Sequence, residues 1–302
     1  MFKIFSFLTW VKQKTINPIV GVILFICYCY SICGVYLNVI VNKDGWYLGE
    51  WVINYQDGGF KRRGLFGTIF IFLNELTNIN LEYLVFAFLF IIYSLFYFLV
   101  IRLFSKNNNN LFTLCLLLLP TTLGMIIRTD EIAGKKEILL FLFYLIYFLC
   151  LNKKKKVKDF VITIFIIIAI LNHEVAFFYI PFISYLYFIN SVDSNFVKLK
   201  KIVIYQLLPS IFVIAILYKF VMNIVTDNSI LFLKQHGLRL GRLGIYSYDP
   251  NFNALTIYKK AFSGYLAYSI STIISVFVFL LYFKFNNIKI SLLFLIIQIL
   301  FL

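Results

Sequence analysis

The sequence is poor in charged residues, and the few it has are unevenly divided between the two signs. Only 14% of its 302 residues are charged, with 13 acidic side chains against 28 lysines and arginines. Hydrophobic residues make up 62% of the chain and come in long runs. A water-soluble protein of this length cannot bury so much apolar surface. The composition therefore excludes soluble enzymes, disordered regulators and secreted disulfide scaffolds.

Several common site signatures are also missing. The five cysteines lie inside apolar runs, where a thiol behaves as a small hydrophobic group, so no disulfide framework is implied. The sequence contains no zinc-finger or c-type haem spacing, no Walker A or dinucleotide fingerprint, and no paired-histidine zinc-protease motif. We therefore expect no bound metal and no cofactor.

The long apolar runs predict an all-α fold, a polytopic integral membrane helical bundle that forms one transmembrane domain over residues 1–302. We predict about eight spans and a partial C-terminal one, without an internal repeat. Residues 42–80 and 222–261 are predicted to form two large extracytoplasmic loops. The apolar residues 290–302 are too few to cross a bilayer, which predicts an incomplete span and a truncated chain.

The lysines give the predicted orientation, because positive clusters between spans favour the cytoplasmic face. The densest cluster is Lys153–Lys156 with Lys158. The following residues, 160–189, allow two short helices that meet at an outer turn, Asn172–Glu174, or one long helix that buries this turn. We favour two helices because a buried His–Glu pair costs several kcal/mol unless it is partnered. The lysines in residues 198–201 then also lie on the cytoplasmic side.

The arginines are placed against this charge bias. Lysine suffices as a topology signal, whereas a planar guanidinium can hold phosphate oxygens from two directions. Outward arginines therefore predict binding of a membrane-held diphosphate, and the alternative is that each only reaches a lipid headgroup. The predicted diphosphate-binding residues are Arg62, Arg63, Arg128, His236, Arg239 and Arg242.

Three residues are candidates for proton transfer. Asp57 lies in the glycine-rich segment 56–67, which we interpret as a loop folded back against the membrane, with Asp57 as a base or an arginine partner. His173 and Glu174 stand alone in an apolar region. A neighbouring carboxylate can raise the pKa of a histidine toward neutrality and make it a general base. The alternatives are an ordinary polar turn around Asp57 and a structural hydrogen bond between helices. The charged segment 128–137 is interpreted as a solvated helix end.

Many short spans, two long arginine-bearing outer loops and the lack of a nucleotide motif resemble the membrane enzymes of bacterial surface-polysaccharide assembly. The similarity is greatest to O-antigen and capsule repeat-unit polymerases of the Wzy type. The resemblance implies a multi-pass glycosyltransferase of the bacterial inner membrane that joins undecaprenyl-diphosphate-linked oligosaccharide repeats into lipopolysaccharide or capsule on the periplasmic side. It also implies lipid-linked oligosaccharide, membrane lipids, a flippase and a chain-length regulator as partners, and no nucleic acid. Four aromatic residues would stack on sugars, unless they mark the membrane interface: Trp46, Trp51, Tyr55 and Tyr246.

In such a polymerase, a sugar hydroxyl attacks the anomeric carbon of a second lipid-linked chain and displaces its diphosphate. The arginines would stabilise the leaving diphosphate, and Asp57, His173 or Glu174 would take the hydroxyl proton. One alternative is a polyprenyl-phosphate-sugar glycosyltransferase, in which Asp44, Glu50 or Asp57 would be the base. Another is a polysaccharide flippase or transporter, which predicts polar residues within the spans and internal pseudosymmetry.

Overall fold

The regular structure of the chain is helical wherever the structure is described. The computed structural model describes residues 18–43, 47–56, 63–104, 134–150, 155–191, 193–220, 227–235 and Gly237. The α-helices of these ranges are α1 (Pro18–Tyr36), α2 (Leu48–Trp51), α3 (Leu65–Thr77), α4 (Leu81–Phe104), α5 (Glu137–Cys150), α6 (Lys155–Asn172), α7 (Ile180–Asn190), α8 (Asn195–Ile202), α9 (Leu208–Phe220) and α10 (Asp227–Gln235). This confirms the all-α class for the described ranges.

Three helical segments are long and apolar enough to cross a membrane: Val20–Val41, Leu81–Leu103 and Asn195–Lys219. The first continues from α1 through a π-helical turn, and the third joins α8 to α9 through another. They match three of the spans predicted from the apolar runs and indicate a membrane protein. The predicted spans at 111–127 and 262–283 and the partial span at 290–302 lie outside the described residues.

The predicted first outer loop contains two helices, α2 and α3, and the interpretation of residues 56–67 as a loop is wrong from Leu65 onward. Gly67 lies inside α3 and is buried against the backbone of Val52 and Ile53, the two residues that follow α2. A Cβ at this position would lie 1.8 Å from the carbonyl oxygen of Ile53. This glycine therefore provides close packing between two chain segments, where the sequence suggested flexibility.

α3 and α4 form an antiparallel helical hairpin joined by residues 78–80. The rings of Phe66 and Phe70 on α3 lie 5.1 and 5.4 Å from the ring of Phe88 on α4. α3 has 13 residues and α4 has 24, so α3 returns alongside only the first half of α4. The beginning of α3 is therefore level with the middle of a helix long enough to span a bilayer.

The chain reverses direction between α6 and α7, as the two-helix interpretation expects. Asp159 near the start of α6 and Asp193 after the end of α7 both contact the Lys201 Nζ, at 3.7 and 3.0 Å. The chain thus leaves this end along α6 and returns to it along α7. Between them lie His173 and a short 3₁₀ helix, Glu174–Tyr179. The lysines of residues 198–201 lie at the same end as the start of α6, as expected.

The turn between α6 and α7 is buried in the protein, whereas the preference for an outer turn was based on the cost of burying it. Asn172 and His173 are only 1% and 6% exposed. The expectation assumed that burial of the His–Glu pair would lack compensation. In the structure these charges have charged partners, and partnered charges are tolerated in apolar surroundings.

The helix that joins α8 to α9 accommodates Pro209 through its π-helical turn, Val203–Leu207. A proline in a helix leaves the carbonyl four residues earlier without its usual donor, and a local π turn relieves the clash. The freed carbonyl here belongs to Tyr205. It accepts a hydrogen bond of 2.8 Å from the Thr163 Oγ1 on α6. A neighbouring helix therefore satisfies the backbone group that Pro209 releases.

Two apolar cores meet along α5. The first packs α1 to α4 against the beginning of α5 around residues such as Trp51, Leu89 and Ile138. The second packs the end of α5 against α6, α7 and α9 around Tyr147 and Ile170. The segment that precedes α5 therefore lies where residues of both cores can meet.

Candidate functional site

Seven ionisable residues from three distant chain segments meet between α3, α5 and the turn after α6. We call them the charge cluster: Glu50, Arg63, Lys135, Lys136, Glu137, His173 and Glu174. The first segment connects α1 to α3, the second leads into α5, and the third separates α6 from α7. Three cations face three carboxylates, so the formal charges balance when the histidine is neutral.

The strongest contact in the cluster joins Arg63 to Glu174. The Arg63 Nε and Nη2 donate hydrogen bonds of 2.9 and 2.8 Å to the two carboxylate oxygens of Glu174. Burial disfavours the charge on Glu174, but Arg63 outweighs this effect and lowers the pKa of Glu174 below its usual value. The backbone of Arg63 has a φ of 66°, which is strained for a residue with a side chain. Such a fork-to-carboxylate pair fixes both partners in orientation.

Lys136 ties the three segments together. Its side chain is fully buried, and its Nζ donates to the carbonyl oxygens of Arg63 at 3.0 Å and Asn172 at 3.4 Å. The same Nζ lies 5.4 Å from the ring centre of Trp51, within the range of a cation–π contact. Burial lowers the pKa of Lys136 to about 7. The interpretation of residues 128–137 as a solvated helix end is therefore wrong at this lysine.

Glu50 lies between two cations. Its Oε1 is 3.7 Å from the Arg63 Nη1 and 3.6 Å from the Lys135 Nζ. Lys135 also lies over the ring of Tyr47, with its Nζ 4.9 Å from the ring centre. The short helix α2, which carries Glu50, thus contacts both the loop before α3 and the segment before α5.

His173 lies between two carboxylates. Its Nε2 is 3.7 Å from the Glu137 Oε1, and its Nδ1 is 4.0 Å from the Glu174 Oε2. Burial and then the charge of Arg63 lower the pKa of His173, although Glu174 acts in the opposite direction. The expectation that a neighbouring carboxylate raises this pKa is therefore wrong, because desolvation and nearby cations dominate. Both effects favour the neutral imidazole.

Two buried acceptor atoms in this region lack a hydrogen-bond partner: the Glu137 Oε2 and the Asn172 Oδ1. Most buried polar atoms in proteins are paired, so each unpaired acceptor is a position where a donor can be gained. Glu137 is the first residue of α5, and Asn172 is the last residue of α6.

A neutral frame holds the cluster in place. The Trp51 Nε1 donates a 2.6 Å hydrogen bond to the Gly134 carbonyl, and the Gly134 N–H donates to the Tyr93 hydroxyl at 3.2 Å. Gly134 has a φ of 99°, which favours glycine at this turn. Trp51 is fully buried, so in this structure it neither marks the membrane interface nor presents a face to a sugar. Tyr93 lies halfway along α4, which again places the cluster level with the middle of that helix.

The structure brings together three of the predicted site residues, Arg63, His173 and Glu174. The remaining ones lie outside the described residues: Asp57, Arg62, Arg128, His236, Arg239 and Arg242. Glu50 was named only for the alternative transferase, and sequence reasoning missed Lys135, Lys136 and Glu137 as site residues. The available signal was a run of three charged residues directly before the apolar residues of α5.

Comparison of the chain with protein-family models, with curated proteins and with solved structures finds no match. The chemistry of the charge cluster therefore carries the functional argument. It combines a carboxylate fixed by a guanidinium, two lysine side chains of which Lys136 is fully buried, and a histidine between two carboxylates. It also has one carboxylate, on Glu137, with an unpaired oxygen.

Proposed function

We propose that the chain is a membrane glycosyltransferase that polymerises undecaprenyl-diphosphate-linked oligosaccharide repeats into a bacterial surface polysaccharide. The observation that carries the proposal is the charge cluster itself. In it, cations and carboxylates from three segments between helices meet level with the middle of α4. Buried charges in apolar helical proteins are expensive and usually serve function.

The chemistry of the reaction matches these groups. Displacement of a lipid diphosphate places growing negative charge on the leaving group, and fixed cations stabilise such charge best where water is excluded. Among the predicted diphosphate-binding residues, Arg62 directly precedes Arg63, and Arg128 comes six residues before Gly134. The remaining candidates, His236, Arg239 and Arg242, come after α10. A base is also required to accept the proton of the attacking hydroxyl.

The proposal is tested by deleting the gene in its native bacterium and analysing both surface polysaccharide and lipid-linked intermediates. We expect long glycan to disappear and a lipid carrier with a single repeat to accumulate on the outer face of the inner membrane. Expression of the wild-type chain restores the ladder of lengths. A glycan of unchanged length in the deletion strain would refute the proposal.

A specific observation favours a second candidate, a flippase or transporter of the lipid-linked glycan. The α6 helix is interrupted at His173 before the chain turns into α7, and charged groups lie at this interruption. Broken helices with charged residues near the middle of the bundle are typical of transporters. In this case the deletion strain accumulates single repeats on the inner leaflet, where an externally added lectin does not reach them in spheroplasts. Loss of all lipid-linked repeats would instead indicate the polyprenyl-phosphate-sugar transferase.

A further inference from the structure

The three carboxylates of the charge cluster differ in how fully their charges are already matched. Both oxygens of Glu174 accept hydrogen bonds from Arg63, and the Glu50 Oε1 lies within 3.7 Å of two cations. The ion pair of Glu137 in the described structure is with the Nε2 of His173, at 3.7 Å, whereas the other two carboxylates contact guanidinium or ammonium groups. Glu137 is therefore the least neutralised carboxylate of the three.

The same residue is also the most accessible one. The exposed fractions of the side chains of Glu50, Glu174 and Glu137 are 8%, 23% and 35%. The Glu137 Oε2 itself is buried and has no hydrogen-bond partner. The terminal torsion of a glutamate is broad and roughly two-fold, so a rotation of about 180° exchanges its two oxygens. An oxygen without a partner can therefore be turned toward a donor that approaches from the exposed side.

We infer that Glu137 is the catalytic base of the glycosyl transfer, an assignment that rests on the proposed function, whereas Glu174 is a positioning residue. Arg63 holds Glu174 from both oxygens, so proton uptake by Glu174 would require the loss of two charge-assisted hydrogen bonds. Proton uptake by Glu137 requires the loss of none at its Oε2. The Glu137 Oε2 is buried and has no cation bonded to it, which makes proton uptake easier than at a fully solvated carboxylate.

The proposed step balances with two lipid-linked glycans as reactants. The acceptor's hydroxyl oxygen forms a bond to the anomeric carbon of the donor, and the bond between that carbon and the diphosphate oxygen breaks. The diphosphate leaves with the electron pair, and the hydroxyl proton passes to Glu137. The proton is then released to water, or to the departing diphosphate.

The charge on Glu137 is set by groups on every element packed around it. The cations lower the affinity of Glu137 for a proton, whereas Glu50 raises it. The titratable and charged groups that interact with it are Glu50, Arg63, Tyr93, Lys135, Lys136, His173 and Tyr179.

The test uses membranes of the deletion strain, which contain the accumulated single repeats, fused with proteoliposomes of the purified full-length chain. The rate of glycan elongation is measured between pH 5 and 9. We expect Glu137→Gln to lower the rate by about 10²- to 10⁴-fold, the usual contribution of a general base. The acid limb of the pH profile should disappear with it. The matched control is Glu75→Gln on the exposed end of α3, which should elongate glycan like the wild type.

Glu137→Asp keeps a carboxylate but shortens its reach, so we expect a rate at least about tenfold lower with a shifted acid limb. This variant decides the matter if Glu137→Gln does not enter the membrane in normal amounts. An active Glu137→Gln, or a Glu137→Asp with the wild-type rate and pH profile, would overturn the assignment. If the deletion strain holds no single repeats, the proposed function fails. If wild type elongates them and Glu137→Gln does so equally well, only the assignment of the base fails.

Discussion

At the scale of single residues, Lys136 is the one lysine among the described residues whose side chain is fully buried. An ammonium without contact to water is stable only if acceptors surround it, and two backbone carbonyls and the face of Trp51 do so here. An apolar side chain would remove this donor from both carbonyls. Burial of the lysine therefore costs desolvation free energy, and its contacts link three chain segments.

The lowered pKa of Lys136 makes stability depend on pH in a definite direction. The pKa of an unfolded lysine is about 10.4, whereas burial lowers the pKa of folded Lys136 to about 7. Between these values the unfolded chain binds more protons, so the free energy of unfolding rises with pH, by at most about 1.4 kcal/mol per pH unit. We expect the Tm of the detergent-solubilised wild type to rise from pH 7 to 10 relative to that of Lys136→Met. Lys200→Met, at an exposed lysine, should follow the wild type, and parallel curves for wild type and Lys136→Met would contradict the prediction.

At the scale of helices, the segment from α8 to α9 shows how an apolar helix tolerates a proline. The π-helical turn before Pro209 releases the Tyr205 carbonyl, and Thr163 on α6 donates to it. The Thr163 hydroxyl is also within 3.0 Å of the Asp159 carbonyl of its own helix. One hydroxyl proton is therefore shared between an intrahelical and an interhelical acceptor, and only the second depends on Pro209.

This dependence predicts coupling between Thr163 and Pro209. Thr163→Val leaves the Tyr205 carbonyl without a donor on the outer surface of a segment that is apolar enough to span a membrane. A carbonyl left unpaired away from water costs about 1–3 kcal/mol. Pro209→Ala restores a backbone N–H that can reach this carbonyl, so Thr163→Val should do less damage in that background. The check is a double-mutant cycle on the free energy of unfolding in detergent. Equal losses from Thr163→Val in both backgrounds would show that the carbonyl does not depend on Pro209.

At the scale of the whole molecule, hydropathy predicts where helices occur but not how deep the connections between them lie. The apolar runs at 19–41, 81–101 and 138–151 all become helices close to those bounds. Polar segments between runs look like outer loops in a sequence, because a count of lysines and arginines carries no information on depth. Arg63 and Glu174 are 111 positions apart, so their pairing depends on packing and has no signal in local spacing. A run of charges beside an apolar run is the one local sign of the cluster.

The Arg63–Glu174 pair connects the two apolar cores, because Arg63 precedes α3 in the first core and Glu174 follows α6 in the second. Removal of one partner from a fully buried pair costs about 3–5 kcal/mol, and less is expected from this partly buried one, whereas replacement of both partners by apolar residues is often neutral. We therefore expect Arg63→Met and Glu174→Met each to lower the Tm of the full chain in detergent more than the double variant does. All three should fail to restore long glycan, because without the pair the break between α6 and α7 is not positioned against α3. Additive losses of Tm in the double variant would show that this contact does not join the cores.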